Sequence, residues 1–64
     1  MTRREAADRE LKNFGCVKYG DWNVSHDGNM WSIPILMGDE EGELVLWFTP
    51  NSTTIEDSYI TDWE

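Results

Sequence analysis

The clearest pattern in the chain lies between Asp21 and Met37, where apolar and polar side chains alternate on either side of the dipeptide Asp27-Gly28. Alternation of this kind puts one set of side chains on each face of a strand. An Asp-Gly step between two such runs is a strong hairpin signal, because both residues tolerate the positive φ angles of a type I′ turn. With Asp27 and Gly28 as the turn residues, Val24 pairs with Trp31 and Trp22 with Ile33, and Ile35 and Met37 join the same side. The opposite side then carries Asp21, Asn23, Ser25 and Ser32, so one face is apolar and the other mostly polar. Pro34 donates no backbone hydrogen bond and falls opposite Asp21, where the pairing is expected to end or bulge.

A different pattern follows. Leu44, Val45, Leu46, Trp47 and Phe48 run on without a polar residue, which places apolar groups on both faces of whatever sheet the strand joins. Its direction is expected to be antiparallel to the preceding strand, after a loop from Gly38 to Gly42. A five-residue loop would turn Val45 and Trp47 toward Ile33 and Ile35, and a four-residue loop would turn Leu46 and Phe48 there instead. Either way large apolar groups are left on the other side, beside Leu36.

The opening segment predicts a helix over about residues 2–14, with Thr2 as N-cap, strong helix formers through Lys12 and Gly15 as terminator. Arg4 with Asp8, Glu5 with Arg9 and Asp8 with Lys12 are opposite charges four apart on an exposed face. Ala7, Leu11 and Phe14 form its narrow apolar stripe. The final segment is ambiguous. Thr53 and Glu56 fit a capping box, and Ile55, Tyr59 and Trp63 recur at helical spacing. The β-branched residues and the alternation of Tyr59, Thr61 and Trp63 favour a strand near Ser58 to Trp63. The expected fold is α+β, a single domain over 1–64, with an N-terminal helix packed on an antiparallel β-meander of three to four strands within about residues 16–63.

Charge changes the picture most. The chain of 64 residues carries a net charge of −8, and its only bases are Arg3, Arg4, Arg9, Lys12 and Lys18. From Tyr19 to Glu64 there are ten acids and no Lys or Arg. Such a surface repels phosphate backbones and attracts basic partners, so direct nucleic-acid binding is not expected. No apolar run approaches the ~20 residues of a membrane span, and the charged start does not resemble a secretory signal. A soluble, cytoplasmic protein is the expectation. A domain this small buries only about 60% of its unfolded surface, and the lone Cys16 cannot form an internal disulfide.

No catalytic constellation is present. His26 sits beside the expected turn, and nothing in its spacing from Cys16 supports a nucleophile pair. The carboxylates of Asp39, Glu40, Glu41 and Glu43 lack the ligand spacing of a calcium loop, and neither metal nor cofactor is expected. Four tryptophans are an excess for this length, and each can bury some 150–250 Å². Trp22 and Trp31 are assigned to the core. Trp47 and Trp63, ringed by acids, have the composition of interface residues.

These features predict a non-enzymatic protein whose acidic face occupies the basic surface of a larger, nucleic-acid-handling protein, as an inhibitor or modulator that mimics phosphates. Small inhibitors encoded by phages or other mobile elements share this format. The expected contact residues are Asp39, Glu40, Glu41, Glu43, Trp47, Glu56, Asp57, Asp62, Trp63 and Glu64. The alternative is a structural or assembly subunit that docks or homodimerises through its exposed apolar sheet face, with the acids serving solubility.

Because Gly28 is placed at a turn position that requires a positive φ, Gly28→Val is expected to cost about 1 kcal/mol or more. A denaturation midpoint equal to that of the parent would remove the hairpin.

Overall fold

A computed structural model describes residues 2–62. One helix, α1 (Arg3–Phe14), precedes five strands: β1 (Val17–Lys18), β2 (Asn23–Val24), β3 (Met30–Met37), β4 (Glu40–Phe48) and β5 (Ile55–Asp62). The sheet is antiparallel in the order β1-β3-β4-β5, with β2 also paired to β3. The α+β class and the helix-on-meander arrangement are those expected. Three long strands form the meander, and two dipeptides share one edge.

Local chemistry fixes the helix ends. Thr2 and Glu5 form a reciprocal capping box, and Gly15 adopts the left-handed conformation (φ 72°) that ends α1. Ala6, Ala7 and Leu11 are buried, and these small side chains bring α1 close to Ile33, Ile35, Leu44, Leu46 and Phe48. Phe14, expected on that stripe, is 39% exposed, and Ala6 takes its place in the core. None of the expected charge pairs along the helix forms among the described residues. Arg4 instead pairs with Asp21 at 3.5 Å, and Asp8 accepts a hydrogen bond from the Trp22 indole at 2.9 Å.

The first hairpin keeps its register but not its turn. Val24 pairs with Trp31 and Asn23 with Ser32, while Gly28 N–H closes on Ser25 C=O and Ser25 N–H on Met30 C=O. Residues 26–29 thus form a four-residue loop rather than a type I′ turn. Asp27 does not take a positive φ; its carboxylate accepts from the Ser25 hydroxyl (2.6 Å) and Asn29 N–H (3.0 Å), which hold the wider loop. Gly28 remains left-handed at φ 79°. Trp22 does not pair with Ile33, because the strand breaks before Asn23. Beyond the break the register has slipped: Tyr19 N–H, not Asp21, meets Pro34 C=O, and Val17 pairs with Leu36. Since a strand residue points its C=O and N to the same side, the missing N–H of Pro34 faces this broken edge.

The second turn is tighter than the expected four or five residues. Met37 pairs with Glu40, leaving only Gly38 (φ 64°) and Asp39 between the strands, the sign pattern of a type II′ turn. Gly42 belongs to the strand, where β5 passes so close that a Cβ would stand 2.9 Å from the Thr61 carbonyl oxygen. The even loop length sends Leu44, Leu46 and Phe48 to the helix side, as the four-residue alternative required. The final segment is a strand from Ile55, earlier than expected, with a bulge at Glu56; the helical alternative and its capping box are not formed. Its expected extension to Trp63 lies outside the described residues.

One side chain joins these pieces. The Arg3 guanidinium donates to Ser52 C=O (2.7 Å), Gly28 C=O (2.7 Å), Asn29 Oδ1 (3.1 Å) and Thr49 C=O (3.1 Å), and lies 5.1 Å from the Phe48 ring centroid. It ties α1 to both loops at one end of the sheet. Trp31 donates to the same Gly28 carbonyl at 2.9 Å, and Trp22, Trp31 and Phe48 follow edge to face at 5.8 Å steps. The row ends on helix residues at both sides, Asp8 and Arg3.

Lysine keeps the charge of Arg3 but not the fork that reaches both loops, so Arg3→Lys is expected to cost about 2 kcal/mol in urea denaturation. A loss below about 0.5 kcal/mol would show that the fork contributes no more than a surface charge.

The Ser25 hydroxyl, then Asn29 N–H, hold the Asp27 carboxyl below its ordinary range. A depressed folded pKa contributes stability that is present above the unfolded value and lost as pH falls through the folded one. Asp27→Asn is therefore expected to lower Tm at neutral pH, with the gap to the parent closing in acid. A gap independent of pH would contradict this.

Candidate functional site

The sheet has two faces, and α1 covers one. On the other, register places Met30, Ser32, Pro34 and Leu36 of β3 beside Trp47, Val45, Glu43 and Glu41 of β4, then Asp57, Tyr59 and Thr61 of β5. Val17 joins them through its pairing with Leu36. No described element lies over this open face. Val45, in the central strand, is nevertheless only 5% exposed, because its same-face neighbours Ser32, Tyr59, Trp47 and Glu43 surround it. Trp47 and Tyr59, diagonal to each other, are joined by an indole-to-hydroxyl hydrogen bond of 3.3 Å and remain about two-fifths exposed. They form a preorganised aromatic pair.

The expected contact residues are divided by the sheet. Glu41, Glu43 and Asp57 stand on the open face with Trp47. Glu40 pairs with Met37 and belongs to the helix-side row, Asp39 sits in the tight turn, and Glu56 is the extra residue of the bulge. Asp62 is paired with Gly42 at the end of β5, while Trp63 and Glu64 lie outside the described residues. The acidic loop expected at Gly38–Gly42 is thus mostly strand, with Glu40 on the helix side and Glu41 and Glu43 together on the open face.

All five bases lie on the other side of the sheet. Arg3, Arg4, Arg9 and Lys12 are on α1, and Lys18, opposite Ile35, faces the helix side. The molecule is electrostatically two-sided, and its open face is purely acidic among the described residues. Tyr59, Val45, Met30 and Val17 were not among the expected contact residues. The strand reading of the last segment already put Tyr59 on one face with Thr61, and only the pairing of β5 with β4 adds that this face carries Trp47.

Among the described residues no group of three or more His, Cys, Asp or Glu side chains is arranged to hold a metal ion, and no helix is long and apolar enough to cross a membrane. Cys16 is half-buried against the core, and His26 is exposed in the turn. Compared with protein-family models, curated proteins and solved structures, the chain matches none.

Proposed function

We propose that this chain is a binding module, without chemistry of its own, whose open sheet face docks on the basic surface of a larger protein. Proteins that handle nucleic acids present such surfaces to phosphates, and carboxylates placed on a rigid sheet stand in for them by pairing with Arg and Lys. The observation that carries the proposal is the make-up of that face: an aromatic pair, Trp47 and Tyr59, beside Glu41, Glu43 and Asp57, with every base on the other side. Aromatic anchors beside charged residues are the composition of interface hot spots. Occupying the partner's nucleic-acid site would make the module an inhibitor or modulator.

The test is capture of a partner from a lysate, followed by affinity measurements at low and high salt. Reversing Glu41 and Asp57 to Lys is expected to weaken binding about ten-fold or more at low salt and to flatten its salt dependence. Reversing Glu10 and Glu40, on the helix side, changes net charge equally and is expected to leave affinity within about two-fold. Equal losses in the two variants would remove the assignment to this face. Affinity indifferent to salt would favour a subunit that docks or self-associates through Val45 and its apolar neighbours.

A further inference from the structure

The two edges of the sheet are built differently. One consists of the dipeptides β1 and β2, separated by a register slip where Gly20 packs so tightly on Pro34 that a Cβ would stand 2.7 Å from the ring. Short strands, a slip and a proline blunt an edge against further pairing. The other edge is β5, eight residues long without proline or lysine, and no described element pairs with its outer side.

The ladder fixes which groups that edge presents. Phe48 N–H donates to Asn29 C=O at 2.7 Å, toward β3. Backbone direction alternates along a strand, so Trp47, Val45 and Glu43 turn toward β5 and bond their partners Asp57, Tyr59 and Thr61. The N–H and C=O groups of Ser58, Ile60 and Asp62 therefore point outward. Beside them, Asp57 and the half-exposed Tyr59 project on the open face, and the bulge presents Glu56.

We propose that β5 is a recognition strand: a basic, extended segment of the partner adds to its outer edge as a further strand. Added residues on the open face would stand about 5 Å from Asp57 and Tyr59, within reach of Lys or Arg for ion pairing and for cation–π contact. Charge decides against a second copy as the occupant. The chain has no base after Lys18, so pairing two copies of β5 would bring Glu56 and Asp57 of each copy into one acidic seam with no counter-charge. The proposal rests on the acidic-face reading above and adds the backbone mode of recognition.

The probe is the synthetic peptide Lys-Val-Lys-Thr-Lys-Val-Lys-Thr, compared with the same peptide N-methylated at every residue, which keeps the charge and cannot donate backbone hydrogen bonds. Amide hydrogen exchange of the full chain is read at low salt. The unmodified peptide is expected to slow exchange at Ser58 and Ile60 about ten-fold or more, and the methylated one to leave them unchanged. Ser58→Pro removes an outward donor without touching the bonds to β4, and is expected to weaken the unmodified peptide about ten-fold. The methylated comparison decides the matter even where that variant does not fold. If both peptides bind alike, shifting Trp47 and Tyr59 without protecting Ser58 and Ile60, strand addition is overturned while the acidic-face reading stands. Binding by neither peptide overturns both. Protection of the two amides in the free protein would show the edge already occupied, and also overturns strand addition.

Discussion

The Arg3 side chain decides how the helix lies. Two loops about twenty residues apart in the sequence, residues 26–29 and 49–54, meet at the same end of the sheet, and their carbonyl oxygens need donors. Arg3 supplies them from the first turn of α1, bonding Gly28, Asn29, Thr49 and Ser52 while its Cζ lies over the Phe48 ring. A planar fork with several donors suits this task, and a point charge would satisfy one loop at a time. At the other end of the aromatic row Asp8 holds Trp22. The helix is thereby fixed over Ile33, Ile35, Leu44, Leu46 and Phe48, and Ala6 and Ala7 allow the close approach.

A single helix so fixed leaves the second face of the sheet uncovered. Val45 escapes water through its own neighbours, at 5% exposure, and Trp47 and Tyr59 do so only in part. The same placement sorts charge. Because the bases are confined to α1 and to Lys18, fixing α1 on one face removes every positive group from the other. Asp8 and Asp21, acids that lie among the bases, are engaged there by Trp22 and Arg4. Glu41, Glu43 and Asp57 remain in a field of one sign. An apolar centre with a rim of one charge follows from where the helix is anchored.

Much of the fold was legible because it depends on local chemistry. Thr2 and Gly15 mark the ends of α1, and the alternation around Asp27-Gly28 gives the pairing of Val24 with Trp31. The unbroken apolar run of β4 correctly implied a sheet with apolar groups on both faces. What was not legible depends on contacts distant in sequence. Nothing near Arg3 in the chain distinguishes it from Arg4, yet one bridges two loops and the other makes an exposed ion pair. Gly42 reads as a loop glycine and is a strand residue, because the constraint comes from Thr61 across the ladder. The turn has two residues where four or five were expected, and this turned a run of acids into strand and divided them between the faces. Asp39 and Glu40 belong elsewhere, and Tyr59 joins Trp47 through a diagonal that the sequence does not display.

The free molecule has one acidic, solvent-open sheet face and one face covered by a base-bearing helix. Paramagnetic relaxation of the protein's protons by a cationic and by an anionic nitroxide measures accessibility and local potential together. The cationic probe should relax Trp47, Tyr59 and the β4–β5 amides on the open face more strongly than the anionic one, with the difference reversed or lost along α1, because local potential concentrates the opposite charge. Equal relaxation by the two probes on both faces, or a Trp47 indole shielded from both in the dilute free protein, would contradict this arrangement.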